Sequence, residues 1–203
     1  MTGRLITFGC SYTYGHGLPD CHVRPNQPGD NPSKFAWPNV LSTLLGSTLE
    51  NKAAAGASNK QIQKLVQEYN FVSNDVVVIL WSHKDRWCVF DGDFTNQINA
   101  WDSDIKSKMF FKFLHNDTDM SMDLHNRIHY VNMYLNNKKI KNFHLYADIM
   151  YKNTYKWFDV DMLHTNMAEL RHANPPAKYD HHPGIEAHSI FANQVYKEIK
   201  EKI

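Results

Sequence analysis

Residues 76–80 read Val-Val-Val-Ile-Leu, set between Asp75 and Trp81. A run of β-branched and long apolar residues, bounded after only a few positions, predicts a strand buried on both faces, as in a parallel sheet. Parallel strands need crossover connections, and helices usually supply them. The rest of the chain offers both parts. Leu5-Ile6-Thr7-Phe8 ends at Gly9 and reads as a first strand closed by a sharp turn. Thr48 to Asn51 is a short strand candidate. Asn142 to Ile149 alternates Phe143, Leu145 and Ala147 with polar residues. Helices are predicted from about Pro38 to Leu45, Lys60 to Tyr69, 103 to 115, 119 to 137, 160 to 172, and Ile185 to Ile203. This alternation predicts a three-layer α/β fold with a mostly parallel sheet. Right-handed crossovers bring the loops after residues 8, 51, 81 and 149 to one sheet edge, where ligands bind.

The chain has 203 residues, which fits one domain. Residues 88–140 are polar, aromatic and Met-rich, and read as a helical insertion or lid. The net charge of +1 gives no global sign of a nucleic-acid partner. There is no run of about 18 apolar residues, so no membrane span is expected. Cys10, Cys21 and Cys88 are odd in number and irregularly spaced, and no signal-like segment opens the sequence. Both points favour a reduced, cytoplasmic protein.

Three segments carry candidate chemistry. In Gly9-Cys10-Ser11-Tyr12, Ser11 lies just past the first strand, as a nucleophile or as an ordinary helix cap. In Asp180-His181-His182-Pro183, the proline biases His182 toward extended backbone. Residues i and i+2 of an extended segment share a side, so Asp180 and His182 project together as orienting acid and base. The alternative is a capping Asp beside a surface His. In Asn51-Lys52-Ala53-Ala54-Ala55-Gly56-Ala57-Ser58-Asn59, Gly56 either offers its N–H to an oxyanion or forms a plain strand-to-helix turn.

In order and spacing the three segments resemble the blocks of the SGNH (GDSL-type) hydrolases. Gly9-Cys10-Ser11 stands where that family has Gly-Asp-Ser. Gly56 stands at its oxyanion glycine, and Asp180-x-His182-Pro183 at its C-terminal block. Trp37-Pro38, Leu41 and Leu45-Gly46 are similar to the helix between the first two blocks. The N-terminal texture resembles divergent phage and marine microbial members. The resemblance covers roughly residues 4–85 and 140–203. It implies a flavodoxin-like sandwich and metal-free ester hydrolysis, with no cofactor. It implies Ser11 as nucleophile, His182 as base, Asp180 as its orienting acid, and the N–H groups of Ser11 and Gly56 as the oxyanion hole. The natural substrate it implies is a small-molecule or carbohydrate ester, an O-acetyl sugar foremost. The family's third block, Gly-x-Asn-Asp, is replaced here by Trp81-Ser82-His83-Lys84-Asp85-Arg86. Losing an oxyanion Asn costs about 10²–10³ in rate. Ser82, His83 and Lys84 are candidate substitutes, and Arg86 is a candidate for an anionic substrate group.

Other readings stay open. His16, Cys21, His22 and the C-terminal histidines hold metal-binding side chains but match no compact ligand spacing, so no metal site is expected. Phe110, Phe113 and Leu114 are expected on a helix core face. His188 is expected to pack at the start of the last helix. A glycan- or acyl-binding module on the same fold is the principal alternative to an enzyme. A virion structural protein, with the aromatic and Met-rich insertion as an oligomer contact, is the other.

Overall fold

A computed structural model describes residues 3–24, 27–92, 94–148 and 160–203. In chain order the elements are β1 (Arg4–Gly9), α1 (Ser11–Tyr14), α2 (Trp37–Leu45), β2 (Thr48–Asn51), α3 (Asn59–Glu68) and β3 (Val76–Trp81). There follow β4 (Arg86–Asp91), β5 (Phe94–Asn99), α4 (Ile105–Phe113), α5 (Asp117–Asn137), β6 (Lys141–Tyr146), α6 (Met167–Ala173) and α7 (Ile185–Ile199).

Four strands form a parallel sheet in the order β2-β1-β3-β6. β3 is internal, and all six of its residues are buried, as its unbroken apolar run requires. The chain steps from β1 to β2 in one direction and from β2 through β3 to β6 in the other. Right-handed crossovers therefore place α2 on one face and α3 and α5 on the opposite face. α7 packs against α2 and α6, and α3 against α5, completing three layers. The core joins Leu5, Ile6 and Phe8 of β1, all of β3, Leu124, Ile128, Val131 and Leu135 of α5, and Phe191, Val195 and Ile199 of α7. This is the mixed α/β architecture that the strand pattern predicts.

A long-range contact ties α2 to α7. Ala36 gives α2 no side-chain cap. The Trp37 N–H instead donates to Nδ1 of the fully buried His188, at 3.2 Å. At the amino end of the sheet, Arg4 donates through Nε and Nη2 to the two Asp75 oxygens, at 2.9 and 2.8 Å, and through Nη1 to Glu50 at 2.8 Å. That fork locks β1, β2 and β3 far from the loops that carry chemistry.

Three expectations are corrected. Residues 86–99 form an antiparallel hairpin, β4–β5, in a segment read as part of a helical insertion and given no strand. The helix expected over 160–172 begins only at Met167, where the Asn166 side chain caps it by accepting from Ala168 and Glu169 N–H. Phe113 and Leu114 are 64% and 69% exposed, not core, because the apolar side of α4 has little opposite it. Within 88–140, α5 is the crossover helix of the sheet, with its Leu and Val side chains in the core. The strand expected over Asn142 to Ile149 is β6, which ends at Tyr146; Ile149 and the loop after it lie outside the described residues.

Candidate active site

β1 ends at Gly9, and Ser11 opens α1 at the carboxyl edge of the sheet. Ser11 is only 2% exposed, and its Oγ has no hydrogen-bond partner. Asn51, at the end of β2, holds the neighbouring loops together. Its Nδ2 donates to the Thr13 carbonyl at 2.9 Å, and its Oδ1 accepts from the Ala53 N–H at 3.1 Å. Ser58 caps α3 by accepting from the Gln61 N–H. Between Asn51 and Ser58 lies Gly56 at φ +80°, in open space. The left-handed backbone, not crowding, is what calls for glycine there.

The loop between α6 and α7 carries Asp180 and His182. Nδ1 of His182 lies 2.9 Å from Asp180 Oδ2. The other Asp180 oxygen, Oδ1, accepts the His182 N–H at 2.8 Å. The juxtaposition expected from the sequence is present, but its cause differs. An Asx-type turn, in which the Asp side chain bonds the backbone two residues on, folds the segment, rather than an extended run. Arg171 of α6 steadies it, donating from Nε to the His181 carbonyl and from Nη1 to Tyr12 Oη. The Tyr12 ring meets the His182 ring edge-on at 5.8 Å.

The sequence offers His16 only as one of several scattered metal-binding side chains, and the structure places it beside Asp180 and His182. It sits on the long loop after α1, with its Nε2 3.6 Å from Asp180 Oδ2 and its ring 4.6 Å from that of His182. Both His16 Nε2 and Asp180 Oδ2 are buried without a well-aligned hydrogen bond. Burial pushes the His16 imidazole down, His182 adds to this, and Asp180 opposes it. Burial raises the Asp180 carboxyl, but the hydrogen bonds and charge of His182, with that of His16, outweigh it and leave the carboxyl low. The ligating atoms of His16, Asp180 and His182 lie within 4.8 Å of one another, and are the group that could hold a metal ion among the described residues. Gly17 explains the close approach of this loop. At φ +85°, it leaves no room for a Cβ, which would fall 2.2 Å from Asp180 Oδ1.

The turn after β3 is clamped by Asn59. Its Oδ1 accepts the Ser82 N–H at 2.8 Å, and its Nδ2 donates to the carbonyls of Ser82 and His83. Ser82 is fully buried, and Lys84 pairs with Asp117. His83 pairs with Asp148 through Nδ1 at 3.1 Å. Two adjoining cavities open at this edge. One, of about 260 Å³, is lined by Ser11, His16, Gly56, Arg86, Asn99 and His182 among others. The other, of about 350 Å³, is lined by Tyr12, His83, Arg86, Trp101, Arg171 and His182 among others. The structure thus brings Ser11, Gly56, His182 and Arg86 to one cavity wall, and His83 to the next. Ser82 and Lys84 line neither.

No family model matches the chain, and neither does any curated protein. Solved structures do. An acetyl xylan esterase, Est2A, from Butyrivibrio proteoclasticus aligns with a TM-score of 0.62 at 11% identity, covering 98% of this chain and 64% of that one. The esterase EstA from Pseudoalteromonas aligns with a TM-score of 0.54 at 11% identity, over 98% of both chains. A structure described as a lipolytic protein of the G-D-S-L family, from Desulfitobacterium hafniense, gives 0.52 at 12% identity, over 96% of this chain and 98% of its own. The fold is that of the SGNH hydrolases. At identities of 11–12% the likeness is one of fold, and within that fold the hairpin β4–β5 delivers Arg86 and Asn99 to the candidate site.

Proposed function

We propose that this chain hydrolyses a small carboxylic ester, with an O-acetyl group on a carbohydrate as the natural substrate, by acyl transfer through Ser11. The observation that carries the reading is the pairing of Asp180 with His182 at 2.9 Å, beside a buried, unpartnered Ser11 hydroxyl and Gly56. His182 takes the Ser11 proton at Nε2 as Oγ bonds to the ester carbonyl carbon. Asp180 holds Nδ1–H in place and stabilises the imidazolium. The N–H groups of Ser11 and Gly56 receive the tetrahedral oxyanion. Collapse expels the alcohol, which His182 protonates. Water, deprotonated by His182, then releases the acid and restores Ser11. The solved esterases of the same fold support this reading.

The test is hydrolysis of p-nitrophenyl esters, acetate through octanoate, by wild type, Ser11→Ala and His182→Ala. Loss of roughly 10³-fold or more in both variants is expected. Turnover that survives Ser11→Ala unchanged refutes the mechanism. Two observations favour a second reading, a glycan- or acyl-binding module on the same fold: Ser11 Oγ makes no hydrogen bond to His182, and the turn after β3 lacks the family's Asn. Labelling of Ser11 by a fluorophosphonate separates the two, since only an activated serine reacts.

A further inference from the structure

Arg86 opens β4 and reaches both cavities of the candidate site. Its Nε and Nη1 are buried and have no hydrogen-bond partner. The Trp101 ring lies over the guanidinium at 5.2 Å and covers it without offering an acceptor. A guanidinium keeps its charge throughout the pH range of folded proteins. Burying such a charge unpaired is costly, and the cost is recovered when an anion arrives.

The other charged groups on the same wall are engaged. Asp85 Oδ1 pairs with His115 at 3.1 Å, and Asp180 with His182 at 2.9 Å. Arg171 donates to the His181 carbonyl and to Tyr12 Oη. His83 faces Asp148. Arg171 is held by neutral acceptors, whereas Arg86 is the cation on this wall with buried guanidinium N–H groups that find no acceptor among the described residues. The two cavities also differ in their relation to the chemistry. The smaller holds Ser11 and Gly56, where the acyl carbon and oxyanion belong. The larger is lined by Tyr12 and Arg171 and contains neither Ser11 nor Gly56. His182 borders both cavities, so an alcohol that it protonates as it leaves the acyl site extends into the larger one.

We propose that Arg86 selects esters whose alcohol portion carries an anionic group, a carboxylate foremost, with Trp101 shielding the ion pair from solvent. An acetylated acidic sugar has this chemistry. The proposal rests on the esterase reading and names its substrate class. Arg86 is a specificity residue in this account, and its guanidinium touches substrate at a distance from the reacting carbonyl.

The experiment compares three aryl acetates with one acyl group: 4-acetoxybenzoate, 4-acetoxybenzenesulfonate and the neutral methyl 4-acetoxybenzoate. Wild type, Arg86→Gln and Arg86→Lys are assayed on each, and the ratio of variant to wild type cancels intrinsic reactivity. Arg86→Gln is expected to lose roughly 10- to 100-fold in kcat/KM on the anionic esters, mainly in KM, the range for one charge-assisted hydrogen bond set. On the neutral ester the loss should be markedly smaller, so that the ratio of anionic to neutral kcat/KM falls. Recovery by Arg86→Lys should be partial, and raised salt should reduce the wild-type preference. Equal losses in kcat on charged and neutral esters would overturn the proposal, because they would make Arg86 an oxyanion donor. A fall in Tm of the ligand-free Arg86→Gln protein would also count against it, since the unpaired charge predicts an unchanged or raised Tm. If no Ser11-dependent turnover exists, the esterase reading fails. Calorimetric binding of 4-hydroxybenzoate to the Ser11→Ala protein then decides the anion site by itself: binding abolished by Arg86→Gln upholds it, and absent or unchanged binding refutes it.

Discussion

Asp180 does two jobs with two oxygens. One shapes the backbone of its own turn, and the other faces the imidazole. Asp180→Asn separates them, because an amide oxygen still accepts the His182 N–H. The expected result is a folded protein with little change in Tm and a fall in kcat of about 10³–10⁴, as when a triad carboxylate is made an amide. Circular dichroism and ester kinetics on the same sample check both halves. Gly17→Ala tests the packing around that carboxylate. A Cβ at a residue with φ +85° and 2.2 Å from Asp180 Oδ1 has nowhere to go. The turn must shift, so kcat/KM should drop at least about tenfold, with a stability loss of about 1–3 kcal/mol. Unaltered kinetics would show that the carboxylate's position does not matter. At this scale the sequence was legible where chemistry and backbone coincide: Ser11, Gly56, Asp180 and His182 all meet at one edge. His16 was not, because the loop that carries it has no periodicity, and only its contact with Asp180 gives it a place.

Between elements, His188 substitutes for a local cap. His188→Ala leaves the Trp37 N–H without a partner in a buried site and opens a void between α2 and α7. A loss of about 2–4 kcal/mol is expected from these two effects together, read from urea unfolding. Activity per folded molecule should change little, because the Trp37 N–H lies outside both cavities. β1 and β3 were legible as short apolar runs and β6 as an alternating one, and the helices from their caps and breakers. The hairpin β4–β5 was not read, although the Gly92-Asp93 dipeptide between the strands is a hairpin turn signal in the sequence, and Gly92 takes φ +58°. Its strands are half exposed and mixed in polarity, with residues such as Cys88 and Phe94 giving no clean alternation. The same segment holds Arg86, whose role depends on what fails to contact it, and no sequence pattern records that.

Over the whole molecule, acid should unfold the protein early. His144 is buried on β6, with Nδ1 accepting from the Trp81 indole N–H at 3.0 Å and Nε2 facing Asn142 Oδ1 at 2.8 Å. Burial pushes the imidazoles of His144 and His188 down to about 3 each. An unfolded His takes a proton near 6.5. As pH falls below that value, the unfolded chain gains protons that the native state refuses. Stability from these two residues is therefore fully present above about pH 6.5, and is lost as pH falls toward 3. The slope is roughly 3 kcal/mol per pH unit for the pair. Urea midpoints from pH 7.5 to 5 check this, and His144→Gln should flatten the slope. A midpoint that stays constant down to pH 5 would contradict the buried neutral imidazoles.

The distance along the chain between the two halves of the candidate machinery also orders events in time. Ser11 and Gly56 are synthesised early, and Asp180 and His182 follow about 170 residues after the serine. At ordinary rates of translation that interval is roughly 10–30 s. Throughout it the nascent chain carries a hydroxyl with no base to activate it. On the proposed mechanism, acyl transfer must wait until the turn of Asp180 packs against Gly17.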